Sequence, residues 1–330
     1  MKNMKRNIIL CLTVLMPLLT SCIKESLSPC PRGVSMRFVF DYNMEYADAF
    51  QEQIDCLTLY IYDKDGNYVQ TITEESDVLK NENYRMVIDL PEGDYRFVAY
   101  GGIACEKHSF SPVIEPAKGS KLSDLNVVMN KEGNTSNVQL HDFFWGTLDV
   151  TVEGELYRDI TLYLKRNTNN LRIVLQQADS SSDPLDINDF TISITDNNYL
   201  FAADNSLITD GERLTYSPWT SGDDLVAGES GQGTTVSVAY AEFSISRLMT
   251  TNEPRLVIYS HQQQENVVDI PLIKYLLLLK SEKYSGMGDQ EYLDRENLWS
   301  IIFLLNDYTW HDVQIVINDW KVKNDNIELK

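Results

Sequence analysis

Apolar and polar side chains alternate with a period of two in run after run of this chain. Leu57, Leu59 and Ile61 alternate with Thr58, Tyr60 and Tyr62, and Met86, Ile88 and Leu90 with Arg85, Val87 and Asp89. Leu148, Val150 and Val152 alternate with Thr147, Asp149 and Thr151, and Ile160, Leu162 and Leu164 with Thr161, Tyr163 and Lys165. Successive side chains of a strand point to opposite faces, so this period predicts half-buried strands. Further runs fall at 171–175, 190–194, 236–240, 256–258 and 313–317. Many strands separated by turns predict an all-β antiparallel sandwich rather than a βα repeat.

The turns carry their own chemistry. Asp63-Lys64-Asp65-Gly66-Asn67 and Pro91-Glu92-Gly93-Asp94 lie between strand-like runs. Gly supplies φ > 0 and Asp or Asn tolerates it, so both predict hairpins, and 196–198 predicts a third turn. Segments 180–183 and 222–233 read as loops. Helical spacing is sparse: Ala47, Phe50 and Ile54 within 44–54, the apolar run 272–280, and 289–297. The polar stretch 153–155 sets the expected domain boundary, giving units 34–154 and 155–330 of ordinary sandwich size.

The N-terminus sets the compartment. Lys2, Lys5 and Arg6 are the only charges in the first 21 residues, and 8–19 is apolar except for Thr13 and Pro17. A bilayer-spanning helix needs about 20 apolar residues, so this is a secretory signal peptide, 1–21. Leu19-Thr20-Ser21-Cys22 resembles a bacterial lipobox, which implies cleavage before Cys22 and a lipid on it. Residue 23 is Ile, not the Asp that retains lipoproteins at the inner membrane, so the resemblance implies an outer-membrane location. A tether, 22–33, then joins the lipid to the first sandwich.

Charge narrows the partners. The chain has 28 basic and 49 acidic residues, a net −21; without the three cations of the signal segment, 25 face 49, a net −24. That balance excludes nucleic acid and a basic membrane-surface patch. At 43% hydrophobic, the chain can bury a core. After Cys22 the cysteines are Cys30, Cys56 and Cys105, so at least one is unpaired within the chain. An oxidising compartment permits one disulfide among them, with all three pairings open.

Other motifs carry little chemistry. Asp63 to Gly66, with Glu74 at position twelve, imitates a calcium loop, but its flanks are strand-like. The Gly-rich 228–233 lacks both nucleophile-elbow and P-loop spacing. The adjacent pairs His141-Asp142 and His311-Asp312 point to opposite faces of a strand, and His108 and His261 stand alone, so no metal site is assigned. Asp289, Glu291, Asp294 and Glu296, with Arg295, could act as paired acids only if space allowed; a solvated turn is the plainer reading. Trp145, Trp219, Trp299, Trp310 and Trp320 are either a sugar-stacking platform or core anchors. No segment supplies a nucleophile, base and oxyanion set, so no catalytic residue and no cofactor is assigned.

Several segments, in order, resemble the FimB-like family of Bacteroidales fimbrial anchor subunit lipoproteins of type V pili. They are the lipobox at Cys22, Cys30-Pro31, DCLTLYIYDKDG at 55–66, LPEGDYRFVAY at 90–100 and HDFFWG at 141–146. RNTNNLRIV at 166–174, QEYLDREN at 290–297 and Ile317-Asn318-Asp319-Trp320 complete the series. The resemblance implies two transthyretin-like β-sandwich domains with a few short helices. It implies an anchor subunit at the base of a fimbrium, on the cell surface, holding it to the outer membrane through Cys22 and limiting its length. Stalk and accessory subunits would be the partners, engaged by strand addition. An anchor should keep its own first strand, 34–40, since losing it would release the lipid. A surface glycan-binding lipoprotein and a tip or accessory subunit are the alternatives, and a lipoprotein hydrolase stands last.

Overall fold

A computed structural model of the chain describes residues 32–103, 105–154, 156–177, 184–209, 211–227, 235–278, 280, 282–306, 309–317 and 320–323. The signal segment, Cys22, Cys30 and the loops expected at 180–183 and 228–233 lie outside these residues.

The first sandwich takes β1 (Gly33–Val39), β2 (Leu57–Asp63), β3 (Tyr68–Glu74), β4 (Met86–Asp89) and β5 (Gly93–Gly101). The chain then makes β6 (Phe110–Pro112), β7 (Val127–Met129) and β8 (Thr135–Ser136) before β9 (Phe144–Val152), β10 (Tyr157–Tyr163) and β11 (Lys165–Arg166). One sheet has the order β10-β1-β4 and the other β11-β9-β5-β2-β3. Val34, Met36, Phe38, Leu57, Leu59, Ile61, Phe97, Leu162 and Leu164 fill the space between them. At about 25 cal/mol per Å² of apolar surface removed from water, such residues dominate the stability of the unit.

The second sandwich holds β12 (Thr168–Gln177), β13 (Phe190–Asp196), β14 (Leu200–Phe201), β15 (Leu214–Tyr216), β16 (Thr220–Ala227) and β17 (Thr235–Ser246). It continues with β18 (Arg255–Ser260), β19 (Glu265–Pro271), β20 (Leu298–Asn306), β21 (Thr309–Ile317) and β22 (Trp320–Lys323). Its sheets run β16-β17-β12-β20-β21-β22 and β19-β18-β13-β15-β8, and a small sheet β14-β7-β6 lies beside them. Among the described residues, three short α-helices complete the fold: α1 (Phe50–Gln53), α2 (Leu272–Leu277) and α3 (Asp289–Arg295).

The all-β sandwich expected from the period-two pattern is what the chain forms. Four details differ. First, the 154/155 boundary falls between two strands of the first sandwich. Strand β10 pairs with β1 along its length, and its Leu162 enters the first core. In the other direction, β7 and β8 precede that boundary yet pair with β14 and β15 of the second part. Second, the sheets are not wholly antiparallel: β1–β10, β12–β20 and β15–β8 run parallel. Parallel neighbours require long connections, which a local pattern does not register.

Third, only one of the expected hairpins is a hairpin. Between β2 and β3, the Gly66 N–H donates to the Asp63 carbonyl (2.9 Å), with φ of 72° at Gly66. The Asp63 carboxylate accepts the N–H groups of Asp65 (2.9 Å) and Asn67 (2.8 Å). The acidic groups that imitate a calcium loop thus build a turn. The 91–94 turn instead carries the chain from one sheet to the other, because β4 pairs with β1 while β5 pairs with β2 and β9. Likewise 196–198 leads from β13 to β14, whose partner is β7. Fourth, the stretch 222–227, expected as loop, is strand and belongs to β16, paired with β17 throughout. Its Gly and Asp residues disfavour strand in isolation, but a paired neighbour outweighs that preference.

Candidate functional site

Three places organise the fold: where the chain enters its first sheet, what staples the first unit, and how the two units are joined. The entry is β1. It lies in the centre of its sheet, between β10 and β4, with Val34, Met36 and Phe38 buried. Gly33 opens it, and a Cβ there would collide with the carbonyl oxygen of Ile88 on β4. Only glycine lets the chain come so close as it joins the sheet. Arg32, just before it, pairs with Glu92 (2.9 Å), and its carbonyl accepts the Leu90 N–H (3.1 Å).

The staple is a disulfide. Of the three cysteines left open by the sequence, the structure joins Cys56 and Cys105, with Cα atoms 6.0 Å apart and the two residues 49 positions apart in sequence. Cys56 stands before β2 and Cys105 after its neighbour β5, so the bond closes one end of that strand pair. Gly102 makes the approach possible, with φ of 82° and its N–H donating to the Cys56 carbonyl (3.2 Å). On the chain-entropy view, a loop of that length is worth about 4 kcal/mol. Asp55 sits beside the two sulfurs within 4.8 Å, but sulfurs joined to each other are not thiolate ligands.

The joint is an apolar core shared by the two units. Strand β2 is buried on both faces, so it is not half-buried as its alternation predicts. Leu57, Leu59 and Ile61 face the first core; Tyr60, Tyr62 and Tyr100 face a second core that continues into Leu171 and Ile173 of β12. Tyr100 stacks on Phe143 (5.8 Å), Phe143 on Phe110 (4.4 Å), and Phe201 meets Phe143 edge-on (5.7 Å). Burial raises the pKa of Tyr60, Tyr62 and Tyr100, which act here as apolar rings. The Tyr60 hydroxyl donates to Glu115 (3.0 Å).

Polar bonds fix the orientation of this apolar joint. Asn167 and Asn205 exchange amide hydrogen bonds of 2.7 and 3.0 Å, both buried. Arg166 pairs with Asp142 (3.3 Å), donates to Gln53, and lies over Phe144 (5.1 Å). Trp145 Nε1 donates to the Ala203 carbonyl (3.0 Å). Arg295 of α3 donates to the carbonyls of Asp41 (3.4 Å) and Asn43 (3.2 Å), just after β1. Buried bonds of this kind are costly to leave unmade, so they specify one relative orientation.

The remaining sequence candidates are used structurally. In the acidic cluster, Asp289 pairs with Lys280 (2.9 Å), Glu291 with Arg295 (2.8 Å) and Asp294 with buried Arg247 (2.7 Å). Glu296 is buried, which raises its pKa, and it accepts the N–H groups of Asn297 and Leu298 (both 3.0 Å). His141 contacts Asp55 (3.0 Å), His108 the Cys105 carbonyl (2.6 Å), and His261 Thr191 (2.9 Å). Trp299 is a core anchor, its Nε1 donating to Asn169 (3.0 Å), whereas Trp219 is half-buried and lines a cleft. The side chains of His311, Trp310 and Trp320 lie outside the described residues. No helix among the described residues is long and apolar enough to cross a membrane.

Sequence reasoning passed over Arg166, Asn167, Asn205 and Arg295 as joint residues. The first two stand in the RNTNN segment, visible as a motif but silent about what it touches.

The family model of the fimbrillin-A associated anchor proteins Mfa1 and Mfa2 matches residues 27–326. A solved structure from Bacteroides thetaiotaomicron, described as an adhesin candidate, is 46% identical, with TM-score 0.83, covering 90% of this chain and 99% of its own. A second structure from that organism, described as a candidate polysaccharide-binding protein, is 33% identical, with TM-score 0.76, covering 90% and 99%. The fimbrial anchor protein Mfa2 from Porphyromonas gingivalis shares the fold at 18% identity and TM-score 0.67, covering 89% and 99%. Comparison with curated proteins returns no match.

Proposed function

The chain belongs to the family of fimbrillin-A associated anchor proteins, and we propose that it is the structural subunit at the base of a fimbrium. In this reading it is a surface lipoprotein, held to the outer membrane by the lipid on Cys22, that limits fimbrial length without catalysis. The observation that carries it is the place of β1. A strand central in its sheet and buried cannot leave without unpairing both neighbours. Gly33 follows Cys22 by eleven residues, so a pull on the lipid reaches the folded core through a tether of at most about 40 Å. The stapled β2–β5 pair and the bonded joint supply the stiffness such a role needs.

Stalk or accessory subunits would attach by adding a strand to a free sheet edge, where unpaired backbone groups accept one. Edges of this kind are β3 in the first sandwich and β19 in the second. Deletion of the gene followed by electron microscopy tests the anchor reading. Shed or overlong fimbriae are expected; fimbriae of unchanged length and attachment would contradict it.

A second reading, saccharide binding at the surface, is favoured by one observation, the Trp219-lined cleft of the second sandwich. One relative is described in the same sense.

A further inference from the structure

A cleft of about 260 Å³ opens on the solvent face of the sheet β16-β17-β12-β20. The register explains its lining. Leu171, Phe243 and Trp299 are neighbours across β12, β17 and β20 and point into the core. The alternate residues therefore point outward: Asn170 and Arg172 on β12, Glu242 on β17 and Leu298 on β20. Trp219 lines it as well, its backbone N–H donating to the Glu242 carbonyl (3.0 Å). Arg172 is held in place by Glu242 (3.5 Å) and by the ring of Tyr240 (5.0 Å). Gln139 and Asn170 also line a second, polar cleft of about 650 Å³ at the joint, so the two adjoin.

Three features select the ligand. First, the charge is balanced. Arg172 is matched by Glu242, and the adjoining cleft sets Lys107 beside Glu106, with Asp142 already paired to Arg166. With the whole chain at −21, neither cleft favours a phosphate, sulfate or uronate. Second, β12 is hydrogen-bonded on both sides, to β17 and β20, so no backbone edge is offered to an added peptide strand. Recognition must come from side chains. Third, those side chains pair apolar surface with groups that both donate and accept. Leu298 is 54% exposed and Trp219 half-buried, while the amides of Asn170 and Gln139 each carry donors and an acceptor. A sugar ring presents that combination: a C–H face for the indole and hydroxyls for the amides.

We propose that this cleft binds a neutral oligosaccharide, one pyranose ring against Trp219 and the following units over Asn170 and Gln139 toward the joint. The proposal rests on the second reading above and adds its site and ligand class.

The test is isothermal titration of the intact folded chain with maltohexaose, xylohexaose and N-acetylchitohexaose, with oligogalacturonate as the anionic control. At least one neutral chain should bind in preference to the anionic one. Trp219→Ala should weaken binding by about tenfold, the scale of one lost aromatic stack. Gln139 is exposed, so Gln139→Ala keeps the fold and should weaken binding by a few fold. No binding of any neutral chain to folded protein overturns both the site and the saccharide reading. Binding that neither substitution changes overturns the site alone. Preference for oligogalacturonate overturns the neutral ligand class, and a fimbrial-subunit peptide that binds where sugars do not, and is lost in Trp219→Ala, makes the cleft a peptide site.

Discussion

The guanidinium of Arg295, on α3 of the second sandwich, lies 4.0 Å from the ring centroid of Tyr42, on the loop that leaves β1. It also covers Tyr46 (4.4 Å), and Glu291 holds it from behind (2.8 Å). One side chain from late in the sequence thus grips the segment directly behind the first strand. Arg295→Ala removes the ring contacts and two carbonyl hydrogen bonds, for an expected loss of about 1–3 kcal/mol. Urea denaturation reads the loss. Spin labels on the two sandwiches should show a broader distance distribution, and an unchanged distribution would show that Arg295 does not set the orientation. Arg295→Lys keeps the charge but not the planar fork, and should recover only part of the effect.

The Cys56–Cys105 bond should carry a large share of the stability of the first sandwich. Replacing both cysteines by serine is expected to cost up to about 4 kcal/mol, seen as a lower denaturation midpoint. Peptide mapping without reduction should recover 56 and 105 as one linked pair; recovery of Cys30 linked to either would contradict the pairing.

Asp196 makes stability depend on pH. It is buried, and burial raises its pKa to about 6. One carboxylate oxygen accepts from the Asn197 N–H (2.8 Å) and Asn252 (3.1 Å), while the other finds no partner among the described residues. The group binds its proton more tightly folded than unfolded. Its effect is therefore absent below about pH 4, where both states are protonated, and destabilising as pH rises through about 6. Asp196→Asn keeps the accepting oxygen and adds a donor in place of the unpartnered one. It should stabilise by up to about 3 kcal/mol near pH 7 and by almost nothing near pH 4. An equal gain at both values would rule out ionisation as the cause.

Cys22→Ala should move the protein from the membrane fraction to the soluble one. A single acyl chain binds only marginally, whereas two or more anchor stably, so under the lipid-anchor proposal the loss of Cys22 should be all or none. Persistent membrane association would refute lipid anchoring.

Much of this protein was legible along the chain. The period-two runs at 86–90, 148–152 and 160–164 each fall within or across strands, because the pleat forces the alternation wherever one face is buried. The Asp63–Asn67 turn was legible because its geometry is local. The 91–94 turn was misread because a turn sequence says the chain reverses, not which sheet it joins next. The double burial of β2 was hidden because tyrosine serves equally at a surface and, with its pKa raised, in an apolar joint.

The sequence alone determined the strand content, the acidic balance and the segments that resemble fimbrial anchors. These follow from local steric period, composition and order, which need no knowledge of distant neighbours. Tertiary structure decided the rest: that β10 closes the first sandwich beside β1, that Cys56 meets Cys105, and that Arg295 reaches back over Tyr42. It also placed Trp219, Asn170 and Gln139 around one cleft. Each of these joins residues far apart in the chain, and such contacts are fixed by the packing of whole sheets rather than by any pattern within a single segment.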